Sequence, residues 1–309
     1  MNTTTIKEKS SRILEKKLSI GFIGQGFVGK NMADDFENRD YQTVRYSLEA
    51  EFINNSHLIK ECEIVFIATP TPTTPTGFDY SSISEALSKV GRGKVAVIKS
   101  TILPGTTEVL QKENPDIIVL HSPEFLSEVT AAQDTKFPIR NIVGMPRKTV
   151  RHERAARLVL SILPPAPYEL VCMSVESELI KYGRNVLGCI RIIFTNLLYD
   201  ASTELGADWK NIQGAMSADP DTGPTYLNPI HKSGRGAGGH CFIKDFAAFR
   251  QFFAERMKDE TAIMMLLAIE QKNIELLEAS GKDADILEGV YGKRSYSHRE
   301  GQMESSERI

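Results

Sequence analysis

Cysteine is scarce in this 309-residue chain, with four residues at Cys62, Cys172, Cys189 and Cys241 and no C-x-x-C spacing. That scarcity excludes a disulfide framework or a zinc knuckle as organising devices. A reducing, cytoplasmic compartment is the expectation, and no metal is expected. An excess of one charge is lacking too. The 37 lysines and arginines nearly balance 40 carboxylates, so there is no electrostatic case for nucleic acid or an anionic membrane as partner. No apolar run approaches the ~20 residues of a membrane span. Residues 1–17 are polar and charged without an apolar h-region, which argues against a secretory signal. What is present is an ordinary composition, 41% hydrophobic, sufficient for a core in each of roughly two domains.

The most distinctive stretch is Gly234–Asp245, Gly-Arg-Gly-Ala-Gly-Gly-His-Cys-Phe-Ile-Lys-Asp. Its glycines let backbone pass close to a ligand. Cys241 follows at once, between a bare loop and a helical run, where a helix N-terminus and nearby cations favour the nucleophilic thiolate. The plainer alternative is a buried free cysteine beside a turn, with Asp245 as the N-cap of a helix over 245–256.

Upstream, Leu18–Ile23 is a short apolar strand that runs into Gly24-Gln25-Gly26-Phe27-Val28-Gly29. This G-x-G-x-x-G lies between a strand and a helix-compatible segment, the context a dinucleotide site requires. The first glycine permits the tight turn, the second lets amides reach a pyrophosphate, and the third lets helix and strand pack closely. Cofactor contacts are therefore expected from Gly24, Gly26, Phe27, Val28 and Gly29. The second strand, Tyr41–Ser47, should end in an acidic residue for the ribose hydroxyls. That position falls instead at Tyr46 or Ser47, with Glu49 the nearest carboxylate. Either Ser47 or Glu49 substitutes, or Arg45 meets a 2′-phosphate and NADP replaces NAD.

Further strands are expected at Ile64–Ala68, Lys94–Ser100, Ile117–Leu120, Arg140–Val143 and Tyr168–Val171. Helices are expected over 81–90, 106–114 and 146–163. This alternation means a parallel, doubly wound sheet whose ligands bind at the carboxyl ends of its strands. Three segments occupy those ends. Thr69–Pro75 offers Thr69 and Pro70 to the cofactor, or is a plain rigid loop. Ser100–Thr106 carries Thr101. Ser122–Glu128 carries Glu124 and Glu128, spaced for a ligand or for proton transfer. From Ser174, an expected N-cap, nothing stops a helix before Gly206. About thirty residues would span roughly 45 Å, and Val186, Leu187, Ile190, Phe194 and Leu197 leave it apolar around much of its girth. A homodimer through residues 174–205 follows. Lys181 and Asn185, at i and i+4 on that helix, share one face and read as a site.

The fold class is thus α/β: an N-terminal Rossmann-like doubly wound parallel sheet followed by an all-α domain with a long dimerisation helix. Its expected divisions are a polar arm at 1–17, a dinucleotide-binding domain at 18–172, a helical dimerisation and catalytic domain at 173–292, and a loose tail at 293–309. Helices over 208–217 and 259–279 complete the second domain.

Gly21–Gly29, Ser100–Thr106, Pro123–Leu126, Glu178-Leu179-Ile180-Lys181 with Asn185, and Gly238–Asp245 occur in one order. From about residue 18 to about 292 the chain resembles the nucleotide-sugar dehydrogenases typified by UDP-glucose and GDP-mannose 6-dehydrogenases. The resemblance implies oxidation of a primary alcohol on a sugar or sugar nucleotide to a carboxylate, with two NAD reduced in succession. It implies that Cys241 captures the aldehyde as a thiohemiacetal and then carries a thioester. Lys181 and Asn185 would stabilise the oxyanions, and Thr101, Glu124, Glu128 and Asp245 would assist the hydrolytic water. It also places Thr101 and Lys244 at the cofactor. Glu124, Phe125, Leu126, Lys181, Asn185, Gly238 and Gly239 fall at the substrate.

Three departures stand out. The second strand lacks its acid, and Asp221 stands where the family commonly has arginine. The chain also stops where a second α/β domain would begin, with Gly289-Val290-Tyr291 resembling that domain's first strand. Two other readings compete. One is a two-electron hydroxyacid or 6-phosphogluconate-type dehydrogenase, which needs no thiol. The other is a non-catalytic subunit that retains a cofactor pocket.

Overall fold

The computed structural model describes residues 18–232 and 234–293. Ser233, the arm at 1–17 and the tail beyond Lys293 lie outside the described residues. Two compact units form, one of residues 18–71 and 80–181, the other of 72–79 and 182–293.

The first unit is built on a seven-stranded sheet. Its strands are β1 (Ser19–Ile23), β2 (Gln42–Tyr46), β3 (Ile64–Ile67), β4 (Val95–Ile98), β5 (Ile118–His121), β6 (Arg140–Met145) and β7 (Tyr168–Met173). Their order is β2-β1-β3-β4-β5-β6-β7. Strands β3, β4 and β5 are buried along their whole length, which is why they read as continuous apolar runs rather than alternating ones. Helices α1 (Phe27–Asn38), α2 (Ser81–Leu87), α3 (Thr106–Glu113) and α4 (Val150–Ile162) connect them. Helix α1 buries Gly29, Met32, Ala33 and Phe36, an i, i+3, i+4, i+7 stripe. Phe36 meets Phe22 edge-on at 5.4 Å between ring centroids, in the centre of the core.

The expectation of a wholly parallel sheet fails at one junction. β5 and β6 pair antiparallel through His121 and Gly144. Between them the chain forms only the six-residue helix Ala131–Lys136. No helix long enough to traverse the sheet returns the chain to its starting edge, so β6 begins where β5 ends.

The second unit takes its helices from α5 (Ser174–Glu204), α6 (Trp209–Ala218), α7 (Gly239–Arg256), α8 (Glu260–Ala279) and α9 (Ala284–Tyr291). Asp208 and Asp259 stand just outside α6 and α8 as N-caps, accepting from Lys210 N and Ala262 N. The core here joins Ile243 and Ala247 of α7 to Ile274 and Leu277 of α8 and to Leu287 and Val290 of α9. Gly289-Val290-Tyr291 is therefore the end of a helix, not the start of a strand. Its period of three, from Leu287 to Val290, faces it into that core.

Three other expectations change. Helix α7 begins at Gly239, six residues before Asp245, because Gly239 at φ +79° turns the chain straight into the helix. Ser174 is the first residue of α5 rather than its cap, and Glu176 Oε2 instead accepts the Met173 N–H at 2.8 Å. The Thr69–Pro75 stretch is divided. Residues up to Thr71 stay with the sheet, while Thr73–Thr74 pairs with Gly77–Phe78 as a small hairpin of the second unit.

Glu178, near the start of α5, caps α3 from outside. It accepts Gly105 N at 2.6 Å, Thr107 N at 2.9 Å and Thr107 Oγ1 at 2.5 Å. Burial pushes its carboxyl up to about 7, against the hydrogen bonds that favour the charged form. Between its ordinary value of 4.5 and about 7 the folded chain holds a proton that the unfolded chain has released. This contribution to stability is therefore complete below pH 4.5 and is lost as pH rises through 7. Replacing Glu178 by Gln, a permanently neutral mimic, is expected to flatten the fall in urea midpoint between pH 5 and 8 relative to the wild type.

Candidate active site

Strand order reverses where β1 lies between β2 and β3, and ligands of such sheets bind outside the carboxyl ends at that reversal. The fingerprint glycines sit there with distinct reasons for being glycine. Gly24 has φ +90°, and a Cβ on it would come 2.4 Å from Ala68 O. A Cβ on Gly29 would lie 1.9 Å from Gly24 O. Nothing lies within 4 Å of a Cβ on Gly26, whose φ is −68°. Packing explains the outer two. Gly26 instead leaves the N-terminus of α1 bare, and Phe27 and Val28 open the helix behind it. That bare terminus fits a pyrophosphate. Next to it, the loops after β3 and β4 are tied together: Ser100 Oγ donates to Thr69 O at 2.6 Å and Thr71 Oγ1 to Thr101 O at 2.8 Å. Ser82 Oγ donates to Pro70 O at 2.7 Å. Thr69, Pro70 and Thr101 thus line neighbouring strand ends.

At the end of β2, Arg45 is already taken. Its Nη2 donates to Asp34 Oδ1 at 2.6 Å and Glu37 Oε2 at 2.7 Å, and its Nε to Glu37 Oε1 at 3.0 Å. The arginine considered for a 2′-phosphate is thus paired with two carboxylates of α1. Ser47 Oγ accepts the Glu49 N–H at 3.3 Å, so a hydroxyl and an exposed carboxylate close the strand.

Glu124 follows β5. Its Oε2 pairs with Lys99 Nζ at 3.1 Å, and Oε1 accepts the Phe125 N–H at 2.9 Å. Lys181 Nζ donates to the Glu124 carbonyl at 2.7 Å and lies 5.6 Å from the centre of the Phe125 ring. Burial pushes Glu124 up, but the Lys99 charge and the Phe125 N–H outweigh it and hold the carboxyl below the usual range. Leu126 is half-buried beyond, whereas Glu128 is exposed and joins none of these bonds. Lys99 escaped the sequence reading. Its signal is a lysine directly after the fully apolar strand Val95–Ile98.

In the second unit, Asp245 is 1% exposed and both its oxygens are engaged. Asn185 Nδ2 donates to Oδ2 at 2.6 Å, and Lys244 Nζ meets Oδ1 at 2.5 Å. Thr73 Oγ1 donates to the Lys244 carbonyl at 3.0 Å. Cys241 is the third residue of α7, exposed, one turn before Asp245 and so on the same side of the helix. A Cβ on Gly238 would lie 2.0 Å from Asp283 Oδ2, so a side chain there would displace the carboxylate that accepts the Gly239 N–H. The other thiols are buried, which pushes Cys62 and Cys172 up to about 11 and Cys189 to about 12. Lys181 and Asn185 stand one turn apart on α5, with the division between units falling after Lys181. Among the described residues no group of histidines, cysteines and carboxylates could hold a metal ion, and no helix is long and apolar enough to cross a membrane.

A sheet with a bare helix terminus at its reversal point defines a Rossmann-type dinucleotide-binding protein, here continued by a helical unit. Residues 34–160 match the NAD binding domain of the UDP-glucose/GDP-mannose dehydrogenase family, and residues 175–273 match its central domain. The chain belongs to that family. UDP-glucose 6-dehydrogenase of Rickettsia bellii is 32% identical over 211 residues, which is 65% of this chain and 47% of that protein. The chain therefore spans about half the length of this relative. A UDP-glucose dehydrogenase structure from Pyrobaculum islandicum superposes with TM-score 0.71 at 27% identity, covering 83% of this chain and 69% of that one. The 3-hydroxyisobutyrate dehydrogenase of Mycobacterium tuberculosis shares the fold, with TM-score 0.66 at 14% identity over 90% of this chain and 99% of that one.

The two kinds of glycine separate experimentally. Gly26→Ala is expected to change stability by less than about 1 kcal/mol yet weaken NADH binding at least tenfold in a fluorescence titration. Gly29→Ala is expected to lower stability by about 1–3 kcal/mol, because backbone must move to admit the methyl group.

Proposed function

We propose that the chain oxidises a primary alcohol of a sugar or sugar nucleotide to a carboxylate in two NAD-dependent steps, with Cys241 as covalent nucleophile. The observation that carries this reading is the cluster on α5 and α7, in which Cys241 is exposed one turn before a buried Asp245 fixed by Asn185 and Lys244. Gly24, Gly26, Gly29, Thr69 and Thr101 would hold NAD, which when bound accepts a hydride. Loss of a hydride and a proton from the alcohol leaves an aldehyde. The Cys241 sulfur adds to its carbonyl carbon and the oxygen takes a proton, giving a thiohemiacetal. A second loss of hydride and proton yields a thioester. Water then adds, the C–S bond breaks, and acid and free thiol are released. Lys181 and Asn185 are the donors for the oxyanions on this route, and Glu124 and Asp245 the carboxylates for its water.

Cys241→Ala is expected to lower steady-state NADH formation from a sugar nucleotide at least about 100-fold. Mass spectrometry of the wild type should show a substrate-sized adduct on Cys241. A second reading, a two-electron dehydrogenase, draws on the full-length likeness of fold to the 3-hydroxyisobutyrate enzyme. It expects unchanged turnover in Cys241→Ala.

A homodimer through α5 belongs to the same proposal. Leu187, Phe194 and Leu197 are 67%, 58% and 45% exposed along it, an apolar stripe that a second helix would cover. The wild type is expected to sediment as a dimer at micromolar concentration, and Leu187→Lys with Phe194→Glu as a monomer.

A further inference from the structure

The loop after β4 opens on a lysine that the steps above leave without a role. Lys99 is 7% exposed. Its Nζ donates to Ser122 Oγ at 3.2 Å and meets Glu124 Oε2 at 3.1 Å. A buried ammonium ion is strongly disfavoured unless a counter-charge meets it, and the same holds for a buried carboxylate. Lys99 therefore requires the carboxylate, and Glu124, whose side chain is 24% exposed, gains from the pairing in turn. The pair lines a polar cavity of about 30 Å³, room for a water molecule or so.

The groups facing Glu124 come from four elements besides β4. Lys181 from α5 donates to the Glu124 backbone carbonyl, and its charge adds a smaller pull that lowers the carboxyl. His121 from β5 is buried against Ser177, and burial followed by the charges of Lys99 and Lys181 pushes its imidazole down to about 3, so it is neutral. Arg140 from β6 stacks over the Phe125 ring at 4.1 Å. Asp134, from the short helix Ala131–Lys136, gives its carboxylate to Ser127 N and Thr130 Oγ1. Lys99, 3.1 Å from a carboxylate oxygen, exerts the larger of the two lysine charges on Glu124.

We propose that Lys99 is a positioning residue that keeps the Glu124 carboxylate ionised and fixed in direction, so that it can accept a proton from water. The role in hydrolysis rests on the reading given above, while the effect on the carboxylate does not. Without Lys99, burial acts on Glu124 with less opposition, and its proton is retained to higher pH.

The test follows the Glu124 carboxyl directly, by carbon-13 NMR of glutamate-labelled full-length protein, beside the pH profile of NADH formation. In Lys99→Met the Glu124 resonance is expected to titrate at distinctly higher pH than in the wild type. The ratio of kcat at pH 6 to kcat at pH 8.5 should fall about threefold or more. Lys99→Arg, which retains the charge, should recover most of both. An unchanged Glu124 titration in Lys99→Met overturns the proposal. So does a loss of rate that is equal at every pH. If Lys99→Met does not fold, Lys99→Gln carries the same measurements. If both unfold, a folded Lys99→Met/Glu124→Gln pair supports the mutual dependence, and an unfolded one overturns it. Absence of NADH from the wild type with every sugar nucleotide would refute the functional reading alone, leaving the NMR titration to decide the role of Lys99.

Discussion

One buried carboxylate holds two helices of the second unit in register. Asp245 has almost no exposure and divides its two oxygens between an amide on α5 and an ammonium group on its own helix. Removing one partner of such a group leaves charge uncompensated in a medium that solvates it poorly, at a cost of about 3–5 kcal/mol. The rotation of α7 about its axis is therefore fixed relative to α5. Cys241, one turn earlier on α7, inherits that orientation, while the remaining three thiols lie buried and act as small apolar side chains.

The first unit handles its buried carboxylates in two physically different ways. Glu178 is met by backbone N–H groups and a hydroxyl at the start of α3, and these dipoles do not offset burial, so it stays near neutrality. Glu124 is met by a full positive charge on Lys99, which with the Phe125 N–H and the Lys181 charge keeps it ionised. The first arrangement suits a structural clamp between helices. The second suits a group that must be charged to act as a base.

The cofactor end shows the same division between what packing demands and what it leaves open. Gly24 and Gly29 are imposed by backbone contacts, whereas Gly26 answers to no neighbour in the chain. At β2, an arginine that could have recognised a phosphate is consumed by Asp34 and Glu37 of α1. This accords with the match of residues 34–160 to an NAD binding domain.

The strands of the sheet, the long helix α5 and the glycine fingerprint were legible in the sequence because each is a local pattern: a continuous apolar run, an uninterrupted helical stretch, a motif in a fixed context. The antiparallel entry of β6, the helical state of Val290 and the early start of α7 were not. Each depends on what lies across the fold, and the few residues concerned carry no distinguishing period. The partners of the polar and charged groups were decided by tertiary structure alone. Lys99 and Ser122, Glu124 and Lys181, and Asn185 and Asp245 are 23, 57 and 60 residues apart along the chain. A sequence determines which charges exist and which backbone they ride on. Whether a charge is solvated, neutralised or held ready depends on burial and on a partner within about 3 Å, and only the folded chain supplies both.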